Sequence, residues 1–215
     1  MGRAKEFDTE TVLRKATSVF GAYGYEGTSL SLLLSELGIA RQSLYDTYGT
    51  KHDLFVSALK FYIQHKTEAG IRLLNECTSV RQGLTDLFNE AVNVLTDDER
   101  RNECFIINSV VEQAPQNHEI AAFIQTTNQQ MEDVFHTALL RGQRSGELRH
   151  AEEELPGLAR FLNYSRLSLT FTAKSGASAE ALRDFVQMTL SRASHGHDPR
   201  RRHDSVHQGS IVERR

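Results

Sequence analysis

The sequence predicts an all-α protein of about nine helices, and three observations carry that prediction. Apolar residues recur at three- and four-residue spacing along the long stretches of the chain. No convincing run of apolar–polar alternation offers a strand. Only three prolines, Pro115, Pro156 and Pro199, interrupt the 215 residues, so helices have room to run.

The first helix carries Val12, Leu13, Ala16, Val19, Phe20 and Tyr23 on one stripe, with Asp8 as N-cap and Glu10 in the first turn. Gly24 and Gly27 end it. Thr28 is placed to cap a short helix holding Leu30, Leu33, Leu34 and Leu37, which Gly38 stops. A further short helix runs from about Ala40 to Tyr48 and ends at Gly49. Thr50-x-x-Asp53 has the form of a capping box and opens a long helix through Leu54, Ala58, Phe61, Tyr62 and His65. Five more helices follow: Val80 to Leu95, Glu103 to Ala114, and a long one from Asn117 to near Gly142 or Gly146. The fourth begins at Glu152-Glu153-Glu154-Leu155-Pro156 and reaches about Lys174, and the last starts at Ser178.

Composition narrows the function. At 39% hydrophobic and 25% charged, the chain is neither disordered nor collagenous. No apolar run approaches the roughly eighteen residues of a membrane span, so no membrane partner is expected. The N-terminus lacks the basic-then-apolar plan of a signal peptide, and Cys77 and Cys104 alone make no disulfide framework, so a cytoplasmic protein is expected. No zinc-ligand spacing occurs, and no cofactor or metal is expected. The net charge of −3 is uneven: residues 192–215 hold six arginines against Asp198, Asp204 and Glu213. That basic tail, with His195, His197, His203 and His207 and no periodicity, is expected to be disordered. No nucleophile–base pair or phosphate loop surrounds Cys104, Glu112 or His136, so no catalytic residue is assigned and an enzyme is not expected.

Two short helices joined by a glycine turn form helix-turn-helix geometry, in which the second helix enters the major groove of DNA. Arg41, Gln42, Ser43 and Thr47 give that helix a polar face, while Leu44 and Tyr48 face a core. Arginine suits guanine O6 and N7, and glutamine suits adenine N6 and N7, so Arg41 and Gln42 are the readout candidates. Tyr45 and Lys51, with the amides near Thr28, are placed to meet phosphates. Charge alone argues weakly, because six basic and six acidic residues cancel over residues 1–52. A helical hairpin with a merely solvated polar face fits the same residues.

The stretch from Phe20 to Leu54 decides between them. Phe20, the glycine before Thr28-Ser29, Gly38-Ile39, Leu44-Tyr45, Tyr48, Lys51 and Leu54 together resemble the N-terminal domain of the TetR-type transcriptional repressors. The resemblance implies a DNA-binding domain over residues 1–52, a ligand-binding and dimerisation domain over 53–191, and the tail over 192–215. It implies a homodimer on palindromic double-stranded operator DNA, released by a small-molecule or electrophile inducer. It implies that Thr28, Arg41, Gln42, Ser43, Tyr45, Thr47 and Lys51 lie at or near DNA. Three positions depart: Leu34 where the family usually has Ala, Ala40 where Ser or Thr caps the recognition helix, and Thr47 where His is frequent. A helical interaction module that has lost DNA binding is the alternative those departures leave.

In the regulatory half, the stripes Leu158, Phe161, Leu162, Leu169 and Leu182, Phe185, Val186 suit a four-helix interface across a twofold, with intrachain core as the other reading. The resemblance places Phe61, His65, Phe88, Cys104, Phe105, Asn108, Glu112 and Tyr164 on helices around a ligand cavity. Cys104, followed by apolar residues and Asn108 ahead of Ala114-Pro115, resembles the stretch carrying a reactive cysteine in some members. Arg100 and Arg101 nearby favour a thiolate, Glu103 opposes it, and an inert buried packing cysteine is the other reading.

Overall fold

The computed structural model describes residues 8–98, 100–102, 107, 110, 113, 115 and 117–194. Among them are eight α-helices and no strand, as the periodicity predicts. The expected helix over Glu103–Ala114 falls largely outside the described residues, as do His195, His197, His203, His207 and the rest of the tail beyond Ser194.

Helix α1 (Thr9–Gly27) starts where the Asp8 carboxylate accepts from the amides of Glu10 and Thr11, and it kinks at Gly24. Helix α2 (Leu30–Leu37) is capped by Ser29, whose hydroxyl accepts from the Leu32 amide, not by Thr28 as expected. Thr28 is fully buried and donates its hydroxyl to the Gly24 carbonyl at 2.6 Å, so it closes the helix before it instead. Gly38, at φ 67°, makes the left-handed turn into α3 (Arg41–Tyr48). Ala40 occupies the α3 N-cap and gives no side-chain bond.

Helix α4 (Lys51–Glu76) begins with the full reciprocal capping box. Asp53 Oδ2 accepts from the Thr50 amide at 2.8 Å, and the Thr50 hydroxyl accepts from the Asp53 amide at 3.2 Å. The box requires Gly49 ahead of it. Its φ is 86°, and a Cβ there would lie 2.7 Å from the Asp53 carboxylate. These starts set the packing: α1 lies on α2 and α4, and Phe20 meets Phe55 edge-on at 5.1 Å with Leu33, Leu37 and Leu44 buried beside them. Tyr48 donates to the Thr9 carbonyl at 3.2 Å, which ties the end of α3 to the start of α1.

Beyond α4 come α5 (Val80–Thr96), α6 (His118–Arg144), a 3-10 turn at Glu152–Glu154, α7 (Leu155–Lys174) and α8 (Ala179–Ser194). Asn117 caps α6 as expected, through the amides of Glu119 and Ile120. Helix α6 packs on α7 and α4, and α8 packs on α5 and α7. Helix α8 runs through Arg192, Ala193 and Ser194, with Ala193 buried, so the regular structure outlasts the expected start of the tail by three residues. Lys174, at the end of α7, donates to the Gly21 carbonyl of α1 at 3.0 Å and ties α7 to the first helix.

Candidate nucleic-acid interface and effector cavity

Helix α3 splits cleanly into two faces. Leu44 is fully buried against the α1 and α4 core, which turns Arg41, Gln42 and Tyr45 outward. Arg41 places its guanidinium 5.7 Å from the Tyr45 ring centroid, and Gln42 donates to Asp46 at 2.7 Å. Both contacts lie four residues apart on the same helix, so they orient the side chains without burying them. Ser43 and Thr47 are half-buried on the flank. Lys51, in the first turn of α4, holds its ammonium 4.3 Å from the centroid of Tyr25. That cation–π contact fixes a positive charge beside a helix N-terminus, where backbone amides also point outward.

Thr28 does not join this surface, because its hydroxyl is turned inward and its amide donates to the Tyr25 carbonyl. The hydroxyls at the start of α2 that do stand exposed belong to Ser29 and Ser31, 2.9 Å apart. The sequence signal for them is the Thr-Ser-Leu-Ser run, in which three neighbouring hydroxyls compete for one cap.

A second feature is a cavity of about 470 Å³ among α4, α5, α6 and α7. Its wall is mainly apolar, with Ile63, Leu73, Leu87, Val94, Leu95 and Ile124. Polar groups enter at few points: Tyr62, Lys66, Thr67, Thr127, Asn128, Arg166 and Thr170, and Glu90, which is ion-paired to Arg100 at 2.6 Å.

The described residues among those expected to hold a ligand lie away from this cavity. Phe88 is fully buried core, and Phe61 stacks on His65 at 5.7 Å beneath the Arg14 guanidinium, on the side of α4 that meets α1. Neither lines the cavity, and nor do His65 or Tyr164, which are both exposed. The neighbouring face of α4, with Tyr62, Ile63, Lys66 and Thr67, lines it instead. Cys104, Phe105, Asn108 and Glu112 lie outside the described residues.

The interface stripes divide in a similar way. Leu158, Leu162, Leu169, Leu182 and Val186 are buried within the chain and are intrachain core. Phe161 and Phe185 remain exposed at 42% and 39%, joined by Tyr164 at 54% and Met188 at 70%. On α7 and α8 each pair is three residues apart, which puts both members on one face of its helix.

Arg166 is the chemically unusual group. Its Nη2 donates to Asn163 Oδ1 at 3.2 Å, and its Nε is buried with no partner among the described residues. Burial pushes its pKa below the ordinary arginine value, with the neighbouring Tyr62 acting the other way.

Residues 12–58 match the sequence profile of a family described as bacterial regulatory proteins, tetR family. The chain is 53% identical over 191 residues to the uncharacterized HTH-type transcriptional regulator YezE of Bacillus subtilis (strain 168), covering 89% of this chain and 98% of that one. It is 33% identical over 192 residues to the HTH-type transcriptional repressor ComR of Escherichia coli (strain K12), covering 88% of this chain and 90% of the relative. Among solved structures, a cysteine-substituted form of the TetR family transcriptional regulator CifR, complexed with 26-base-pair double-strand operator DNA, superposes with a TM-score of 0.76. That match has 28% identity and covers 89% of this chain and 100% of the other.

Proposed function

This chain belongs to the TetR family of bacterial transcriptional regulators, and from that premise we propose that it is a ligand-responsive repressor that binds a palindromic operator as a homodimer. Residues 1–52 form the DNA-binding domain and residues 53–191 the regulatory and dimerisation domain. Arg41 and Gln42 read base edges, while Tyr45, Thr47, Lys51 and the exposed start of α2 hold phosphates, with Ser43 on the flank of the groove. The observation that carries the reading is the division of α3, whose buried Leu44 anchors a helix with Arg41, Gln42 and Tyr45 on its open face.

The regulatory part of the proposal is supported by the cavity, whose volume of about 470 Å³ is suited to a small organic molecule. A ligand there favours a dimer whose recognition helices no longer match the groove spacing, and it acts only through its differential affinity for the two states. The homodimer is supported by the apolar faces of α7 and α8. No catalytic role is proposed for any residue.

Fluorescence anisotropy with a labelled duplex from the protein's own promoter region, at several salt concentrations, tests the reading. Saturable binding with two protomers per site and a steep salt slope is expected. Binding that does not exceed that to an unrelated duplex at any salt would make the chain an interaction module without operator recognition.

A further inference from the structure

The cavity holds a positive charge that the described protein does not neutralise. Arg166 presents five N–H donors, yet among the described residues only its Nη2 finds an acceptor, and that acceptor is a neutral amide. The amide is itself fixed: Asn163 is fully buried and donates its Nδ2 to the Asn128 carbonyl of α6 at 3.4 Å. No described carboxylate forms an ion pair with Arg166. Glu90, the one acidic residue on the described wall, is engaged by Arg100, and Glu132 on α6 is engaged by Arg160. A second cation, Lys66, lies on the same wall with its ammonium 5.9 Å from the Tyr62 ring centroid.

Arg166 is half-buried at the cavity wall, and its Nε is buried with no acceptor among the described residues; a buried donor left without an acceptor is costly. A held guanidinium beside an apolar chamber is the pattern of a binding subsite, in which the missing partner arrives with the ligand. We propose that the effector of this cavity is an amphipathic organic acid, with an apolar body against Ile63, Leu87 and Ile124 and a carboxylate that accepts from the Arg166 guanidinium. The planar guanidinium matches a carboxylate in a way a point charge does not. Lys66 adds to the positive potential at that end of the chamber, and the hydrophobic wall gives the body no polar requirement. The inference rests on the reading of the cavity as the effector site and supplies the ligand's chemical class.

Calorimetry on the full-length protein tests it with octanoate, decanoate and 4-phenylbutanoate, each against the alcohol of the same skeleton. Each acid that binds should do so about ten-fold or more tightly than its alcohol, the scale of one charge-assisted hydrogen bond. Arg166→Met should remove that preference and leave alcohol binding within about three-fold, while Arg166→Lys should keep part of it. The melting temperature of ligand-free Arg166→Met should be unchanged or higher, because the substitution removes a charge with no carboxylate partner among the described residues. A structural arginine would lower it, and Arg166→Gln repeats the test should the methionine variant fail to fold.

Equal affinity for acid and alcohol, a preference that survives Arg166→Met, or no binding of any acid at millimolar concentration would each overturn the assignment. The effector reading fails separately. An acid that binds through Arg166 but leaves the promoter duplex bound, by anisotropy in the same samples, would keep the anion subsite and remove its role in induction.

Discussion

Arg41 and Lys51 both carry positive charge near the exposed face of α3, and the proposed function gives them different work. Arg41 sits at the first residue of α3, with its guanidinium directed along the open face by Tyr45. Lys51 sits on Tyr25 in the first turn of the next helix. A side chain in the groove discriminates among bases, whereas one on the backbone does not. Arg41→Ala should therefore cost about 1–3 kcal/mol on the preferred duplex and relax the preference at one base position. Lys51→Ala should weaken all duplexes alike and flatten the dependence of log K on log salt by about one unit. Anisotropy over a set of single-base operator variants separates the two. A uniform loss for Arg41→Ala would make that residue a phosphate anchor.

Helix ends are local events, and here the ends were the most legible part of the sequence. Asp8, Asn117 and the Thr50–Asp53 pair all cap where their spacing predicts, because each bond spans two or three residues and needs nothing from the rest of the molecule. Thr28 shows the limit of that logic. Two adjacent hydroxyl residues were available, and the path of α1 took the first, leaving Ser29 as the cap. Ala40 remains the one recognition-helix terminus with no side-chain acceptor, at φ −70° and ψ 149°, a backbone that a serine cap would fit unchanged. Ala40→Ser should stabilise the protein by about 1 kcal/mol, seen in a thermal melt as a rise of roughly 2–4 °C. The α4 cap gives an acid-dependent counterpart. Hydrogen bonds from the Thr50 amide and hydroxyl hold the Asp53 carboxyl below its ordinary value of 3.8. A depressed folded pKa contributes stability above the unfolded value, and that stability is lost as pH falls through the folded one. Asp53→Asn should therefore lie below the wild type in denaturant melts at neutral pH, and the gap should narrow as pH falls below 3.8.

At the scale of the molecule, periodicity located the helices but could not say which neighbour each face would meet. Phe61 and Tyr62 are adjacent on α4, and only the packing of α1 on one side and α6 on the other sends the first outward to Arg14 and the second to the cavity. Arg166 was equally hidden, since an arginine in a helix is usually solvated and the burial of its Nε depends on how the helices around the cavity pack. The same ambiguity covered the last two helices, where Leu162 and Phe161 belong to one stripe yet the first is fully buried and the second is 42% exposed. On the last two helices the folded chain leaves Phe161, Tyr164 and Phe171 of α7 and Phe185 and Met188 of α8 exposed. Covering those faces with a second copy makes an isologous four-helix contact and brings two recognition helices to one duplex, about 34–36 Å apart or a multiple of it. Because Phe185 and Met188 are exposed at 39% and 70%, acidic substitutions there should spare the protomer's own core. Phe185→Glu with Met188→Glu is thus expected to give a folded monomer by circular dichroism and light scattering. Its operator affinity should fall by about 10²–10⁴, since the second half-site contact is no longer held at high effective concentration, while its weak affinity for a single half-site should match that of the wild type. A double variant that stays dimeric and binds the full operator as before would place the interface on another surface.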